Sequence, residues 1–197
     1  MQLVSPDALA AEVTQYMYER TLELSRAIGA RLSKPRSAPV ANCVRTVVRY
    51  AQQGDDNLSN DQVIAKINSL IHLLSVTCYP PSTLAARAIF DRKAGEPETK
   101  IEGILLAARA RWDVELGLPV PIRWLAVLGG VSVKTARNLA SIGQLATQTS
   151  TDGQMATAKE SARWLGARGI KVAAGSRLGG SARKPANKLR VRVTAAG

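Results

Sequence analysis

The sequence predicts a mainly α-helical protein, with a helical N-terminal domain followed by a small basic domain that carries one short β-hairpin. Three observations lead there. Hydrophobic residues make up 46% of the 197 positions but aromatic residues only 4%. Ala, Leu, Val and Ile must therefore fill the core, which suits closely packed helices better than a β-sandwich. Apolar residues recur three and four positions apart through much of the chain, the period of an amphipathic helix. The charge is also stepped. Residues 1–116 hold 14 Lys and Arg against 13 Asp and Glu, whereas residues 117–197 hold 13 against 2.

Taken in order, Ser5 caps a first helix, with Pro6 at its first position and Asp7 near its positive end. Leu9, Val13, Met17, Leu24, Ile28 and Leu32 form its apolar stripe, interrupted by Arg20 and stopped by Pro35. The stripe suits core packing and is compatible with dimerisation. Val40, Val44, Val47 and Ala51 mark a second helix, ended by Gly54. Ser59 and Gln62 form a capping box before a third, with Val63, Ile64, Ile67, Leu70, Ile71 and Leu74 at helical spacing. Pro80 and Pro81 break the chain, and Ser82 caps a short fourth helix reaching Phe90. Ile101, Ile104, Leu105, Ala108 and Trp112 mark a fifth, ended by Gly117.

Leu118, Pro119, Val120 and Pro121 read as a stiff linker, because two prolines fix φ and forbid helix continuation. The linker coincides with the charge step. The expected organisation is thus a helical domain over 1–117 for oligomerisation or for binding a partner or effector, a second domain over 121–174, and a basic flexible tail over 175–197. Within the tail, residues 188–194 alternate and would form a strand if paired. Arg177, Arg183, Lys184, Lys188, Arg190 and Arg192 make it cationic.

Function concentrates in the second domain. Pro121 opens a helix in which Ile122, Leu125 and Ala126 face inward, and Ala126 is small where two helices would cross. Gly130 supplies the positive φ of a tight turn, Val131 plugs that turn into the core, and Ser132 caps a second helix with Ala136 and Leu139 inward. Asp152 and Gly153 signal a hairpin turn between two strand-like runs. Thr157 and Glu160 then form a capping box on a third helix, where Ala162, Trp164, Leu165 and Ala167 precede Gly169.

This order resembles the helix-turn-helix of bacterial and phage DNA-binding proteins. With the hairpin and third helix, residues 121–171 resemble the winged helix-turn-helix of excisionase and MerR-type proteins. Ala126, Gly130, Val131 and Leu139 fit the family pattern. Gly129 stands where a larger apolar side chain is usual, and Ala136 where Val or Ile is usual. The resemblance implies that the second helix enters the major groove and that the wing lies along the backbone or minor groove.

Side-chain chemistry then assigns expected roles. Arg137 suits a bidentate contact to guanine, Asn138 the same to adenine, and Lys134 a guanine or a phosphate. Ser132 and Thr135 suit phosphates beside the helix N-terminus, Val133 a thymine methyl group, and Ser141 completes the exposed face. Arg123, Gln148 and Thr149 are expected on the DNA backbone, with Arg163, Arg168 and Lys171 reaching flanking phosphates or simply solvated.

Other chemistries find little support. His72, the only histidine, lies between Ile71 and Leu73 and reads as a partly buried structural residue. One His with the two distant cysteines Cys43 and Cys78 does not make a zinc site. No phosphate-binding loop, activated serine or cofactor motif is present, so no enzymatic activity and no cofactor are expected. No secretory signal or membrane span is read, and the expected location is the cytoplasm, with the nucleoid.

The reading is a sequence-specific binder of double-stranded DNA, a bacterial or phage transcriptional regulator acting as a homodimer or higher homo-oligomer. The alternatives are a DNA-binding assembly protein for partition, packaging or excision, and an RNA-binding protein. The last rests on charge alone, since aromatic platforms are scarce.

Overall fold

The computed structural model describes residues 4–29, 37–54, 58–78, 97, 99–150 and 153–177. Seven helices and three short strands occupy the described residues. They are α1 (Pro6–Ala27), α2 (Ser37–Gln53), α3 (Asn60–Cys78), α4 (Lys100–Glu115), β1 (Val120–Pro121), α5 (Ile122–Gly129), α6 (Val133–Ser141), β2 (Gln148–Ser150), β3 (Gly153–Ala156) and α7 (Ala158–Gly166). The architecture is mainly helical with one small antiparallel sheet. The expected helix at 82–90, the strand at 188–194, Pro35 and the prolines at 80 and 81 lie outside the described residues. No described helix is long and apolar enough to cross a membrane.

The N-terminal helices begin where local chemistry places them. The Ser5 hydroxyl accepts the Ala8 N–H at 3.3 Å and so satisfies one of the donors a helix start leaves open. Ser59 and Gln62 form a reciprocal box: the Gln62 N–H donates to Ser59 Oγ, and the Ser59 N–H donates to Gln62 Oε1. Leu9, Val13 and Met17 of α1 are buried, as are Val44, Val47 and Ala51 of α2, and Val63, Ile67 and Leu70 of α3. Ile28, at the end of the first stripe, is exposed instead.

Helix α4 is the hub. It contacts α1, α2 and α3 as well as β1, α5 and α7. Thr99 caps it by accepting the Glu102 N–H, and most of its side chains are buried, charged ones included. One apolar cluster runs from Leu9 and Val44 through Leu105 and Val114 to Leu125, Trp164 and Leu165. Apolar contact therefore continues on both sides of residues 118–121.

That segment departs from the expected linker. Val120 and Pro121 are buried and form a strand, with Val120 opposite Ala156 and Pro121 opposite Met155. The sheet order is β1-β3-β2. Proline is tolerated because β1 is an edge strand, where a missing N–H interrupts no central ladder. Pro121 also stands at the position before α5, with no capping side-chain bond, rather than inside the helix. The hairpin itself is present, with Ser150 opposite Gly153 and the intervening positions 151–152 outside the described residues.

The expected tail begins as packed chain. The Gly175 N–H donates to the Val114 carbonyl and the Arg177 N–H to the Glu115 carbonyl. The Arg177 side chain donates to Glu115 and to the Leu58 carbonyl. Glu115 also accepts from the Tyr50 hydroxyl at 2.7 Å and lies 3.8 Å from Arg111. Burial, aided by the adjacent carboxylate, pushes the Tyr50 phenol above its ordinary range, so Tyr50 stays a donor. Arg111 completes this clasp by donating to the carbonyls of Ala51, Gln52 and Lys171.

Candidate nucleic-acid interface

The residues singled out from the sequence gather around α5, α6 and the β2–β3 hairpin. Helix α5 ends in a left-handed residue, Gly130 (φ 69°, ψ 28°). The Val131 N–H bonds back to the Ala126 carbonyl and the Gly130 N–H to the Val127 carbonyl, the paired bonds of a Schellman termination. The turn therefore has one tight geometry, and it delivers Ser132 in extended conformation as the cap of α6. Ser132 Oγ accepts the Thr135 N–H at 3.0 Å and lies 2.9 Å from the Thr135 hydroxyl.

One face of α6 is buried. Val133 and Ala136 join Ile122 and Ala126 of α5 in a small apolar cluster, with Val131 and Ala140 packed against it. Leu139 packs on the main core. The opposite face carries Lys134, Thr135, Arg137, Asn138 and Ser141, all exposed. Ser141 Oγ donates to the Asn138 carbonyl, which leaves its lone pairs for an outside donor. No side-chain hydrogen bond or ion pair joins Lys134, Arg137 or the Asn138 amide to another described residue. Gln148 and Thr149 are exposed on β2, their backbones paired to β3.

Two expected contacts are corrected. Arg123 is only 3% exposed and donates to Glu102 of α4 at 2.6 Å. A buried guanidinium held by a buried carboxylate fastens α5 to α4 and does not present itself to a phosphate. Val133 is 2% exposed. As the first residue of α6 it falls on the same face as Ala136, so its methyl groups fill the α5–α6 seam rather than a groove.

Three further readings change. The Glu160 carboxylate does not reach back to the Thr157 N–H as the capping box requires. It accepts from the Ala146 N–H at 3.0 Å and from Arg163, while Thr157 Oγ1 still accepts the Glu160 N–H. Arg163 at hydrogen-bond distance holds that carboxyl below the usual carboxylate range. His72 is exposed, not partly buried. Arg177 belongs to the clasp on Glu115 rather than to a tail that follows a phosphate chain; Arg183, Lys184, Lys188, Arg190 and Arg192 lie outside the described residues.

The remaining cations frame the site unequally. Arg163 is exposed but paired with Glu160, and it also donates to the Gln144 carbonyl. Arg168 lies over the Trp164 ring, 3.8 Å from its centre. Together they border a shallow cavity of about 380 Å³ that Gly143, Gln144, Trp164 and Ala167 complete. Lys159 and Lys171 are exposed.

The small residue at 129 has a direct explanation. A Cβ there would collide with the Trp164 ring, coming within 2.5 Å of its Cη2 atom. The indole of α7 fills the space that a larger side chain on α5 would occupy. The sequence reading also missed Ile142, which caps α6 and is 66% exposed. Its position four residues after Asn138 was the available signal. Compared with protein-family models, curated proteins and solved structures, the chain matches none.

Proposed function

We propose that this chain is a sequence-specific double-stranded DNA-binding protein of the winged helix-turn-helix type, with α6 lying in the major groove and the β2–β3 hairpin along the flanking backbone. The observation that carries the reading is the outer face of α6. It displays the side chains of Lys134, Arg137 and Asn138 to solvent, with no side-chain hydrogen bond or ion pair to another described residue, on a helix whose inner face is packed. Arginine and asparagine are the side chains that pair bidentately with guanine and adenine edges. The charge supports the same partner. Residues 117–197 carry 13 basic side chains against 2 acidic ones, and Glu160, one of those two, is matched by Arg163.

The experiment is selection from random duplex DNA by the purified protein at physiological salt, with single-stranded RNA as competitor. The expected result is an enriched motif containing a guanine and an adenine a short step apart. A two-fold dimer would space its half-sites by one helical turn, ~34 Å. A short palindrome bound by a dimer identifies a transcriptional regulator, and repeats coated by a larger assembly identify a partition or packaging factor. Binding without enrichment that fades as salt rises would reduce the site to a basic surface and overturn sequence-specific recognition.

A further inference from the structure

Ile142 is a large apolar side chain left in water on the outer surface of α6. The exposed large hydrophobic residues among those described are Leu22, Ile28, Leu118 and Ile142, and Ile142 is the most exposed of them. It belongs to neither apolar cluster. It stands four positions after Asn138, so the two share a face with their Cβ atoms ~6 Å apart. As the C-cap of α6 its N–H still donates to the Asn138 carbonyl at 3.1 Å, so Ile142 closes the turn that Asn138 begins. The apolar group expected to meet a base, Val133, is sealed in the α5–α6 seam. Ile142 is thus an apolar group on the displayed face, beside the side chain best suited to adenine.

We infer that Ile142 packs against the 5-methyl group of a thymine in the major groove and is a specificity-determining residue of this surface. The inference rests on the DNA-binding reading above. A separation of ~6 Å from Asn138 spans about two base steps of ~3.4 Å, so the thymine lies about two steps from the adenine that Asn138 reads.

The test uses the full chain and the duplex it enriches. Each thymine in turn is replaced by uracil, which deletes the methyl group and leaves every hydrogen-bonding group in place. Affinity is measured for the unaltered protein and for Ile142→Ala, whose folding is checked by circular dichroism. One thymine position should matter: uracil there weakens the unaltered protein about fourfold, the worth of one buried methyl group, and leaves Ile142→Ala unchanged. If no position is sensitive, or if the sensitivity persists in Ile142→Ala, the assignment is overturned. A change in sedimentation of Ile142→Ala without DNA, alongside unchanged uracil sensitivity, would overturn it in favour of contact with a second copy of the chain. Failure to enrich any duplex would remove the sequence-specific reading on which this inference rests, a result distinct from an enriched duplex indifferent to uracil.

Discussion

Arg123 and Arg137 carry the same guanidinium into opposite surroundings, and their replacements should fail in opposite ways. Arg137→Ala is expected to leave stability unchanged, to cost about 1–3 kcal/mol on the cognate site and to relax preference at one base pair. Affinity measured across single-base variants of the site checks this; a uniform loss on all of them would make Arg137 a phosphate contact. Arg123→Ala removes the guanidinium from which the buried Glu102 carboxylate accepts at 2.6 Å. It should lower unfolding free energy by about 3–5 kcal/mol in a urea titration, and Arg123→Leu combined with Glu102→Leu should recover most of the loss. The sequence held a clue to this difference. Trp124, Leu125, Ala126, Val127 and Leu128 follow Arg123 without a polar break, as in a helix buried all round. A cation at the head of such a helix needs an internal carboxylate. Its partner stands 21 residues upstream, where spacing alone cannot point.

At the scale of elements, what sequence made legible was what local chemistry decides. Ser5, the Ser59–Gln62 pair, Gly130 and Ser132 each mark a boundary through a bond to a backbone group within a few residues, and the helices begin and end there. Strand β1 was not legible. Two residues, one of them proline, carry no alternation, and only pairing with Ala156 and Met155 more than thirty positions later makes them a strand. Glu160 was legible as a helix-start residue but not in its partner, since the Ala146 N–H arrives from a loop. Gly129 and Trp164 belong to the same class, each odd alone and explained by the other. Gly129→Ala should destabilise the fold by about 1–3 kcal/mol through overpacking. Adding Trp164→Leu should cost less than its effect alone, because the smaller side chain makes room for the new methyl group. Additive losses in thermal unfolding would show that the two positions do not press on one another.

Across the whole molecule, the buried ionic clasp divides the tail into two parts with different expected effects. Truncation after Arg177 leaves the clasp in place. If residues 178–197 follow the phosphate chain, it should also flatten the salt dependence of DNA affinity by ~0.9 for each lost contact. Truncation before Gly175 should in addition lower stability, because it takes Arg177 away from the buried Glu115. Equal denaturation midpoints for the two truncations would show that the clasp adds nothing. Composition could not show this packing, since Gly175, Ser176 and Arg177 carry no large apolar side chain and are placed by Leu58, Val114 and Glu115, far away in sequence.

On the DNA-binding reading, the clasp also sets how the molecule would tolerate a change of spacing in its site. Because Lys171 and Gly175 are bonded to α4, Arg177 to Asn60 at the start of α3, and α5 to α4 through Arg123 and Glu102, α6 rides on the helical body without a slack tether. Two copies joined through that body would hold their reading helices like the prongs of a plug, at one separation and one rotational phase. Such a pair has no slack to follow a shifted half-site around the duplex. Five base pairs inserted between half-sites, about half a helical turn, should abolish the joint binding that a full-turn insertion would partly restore.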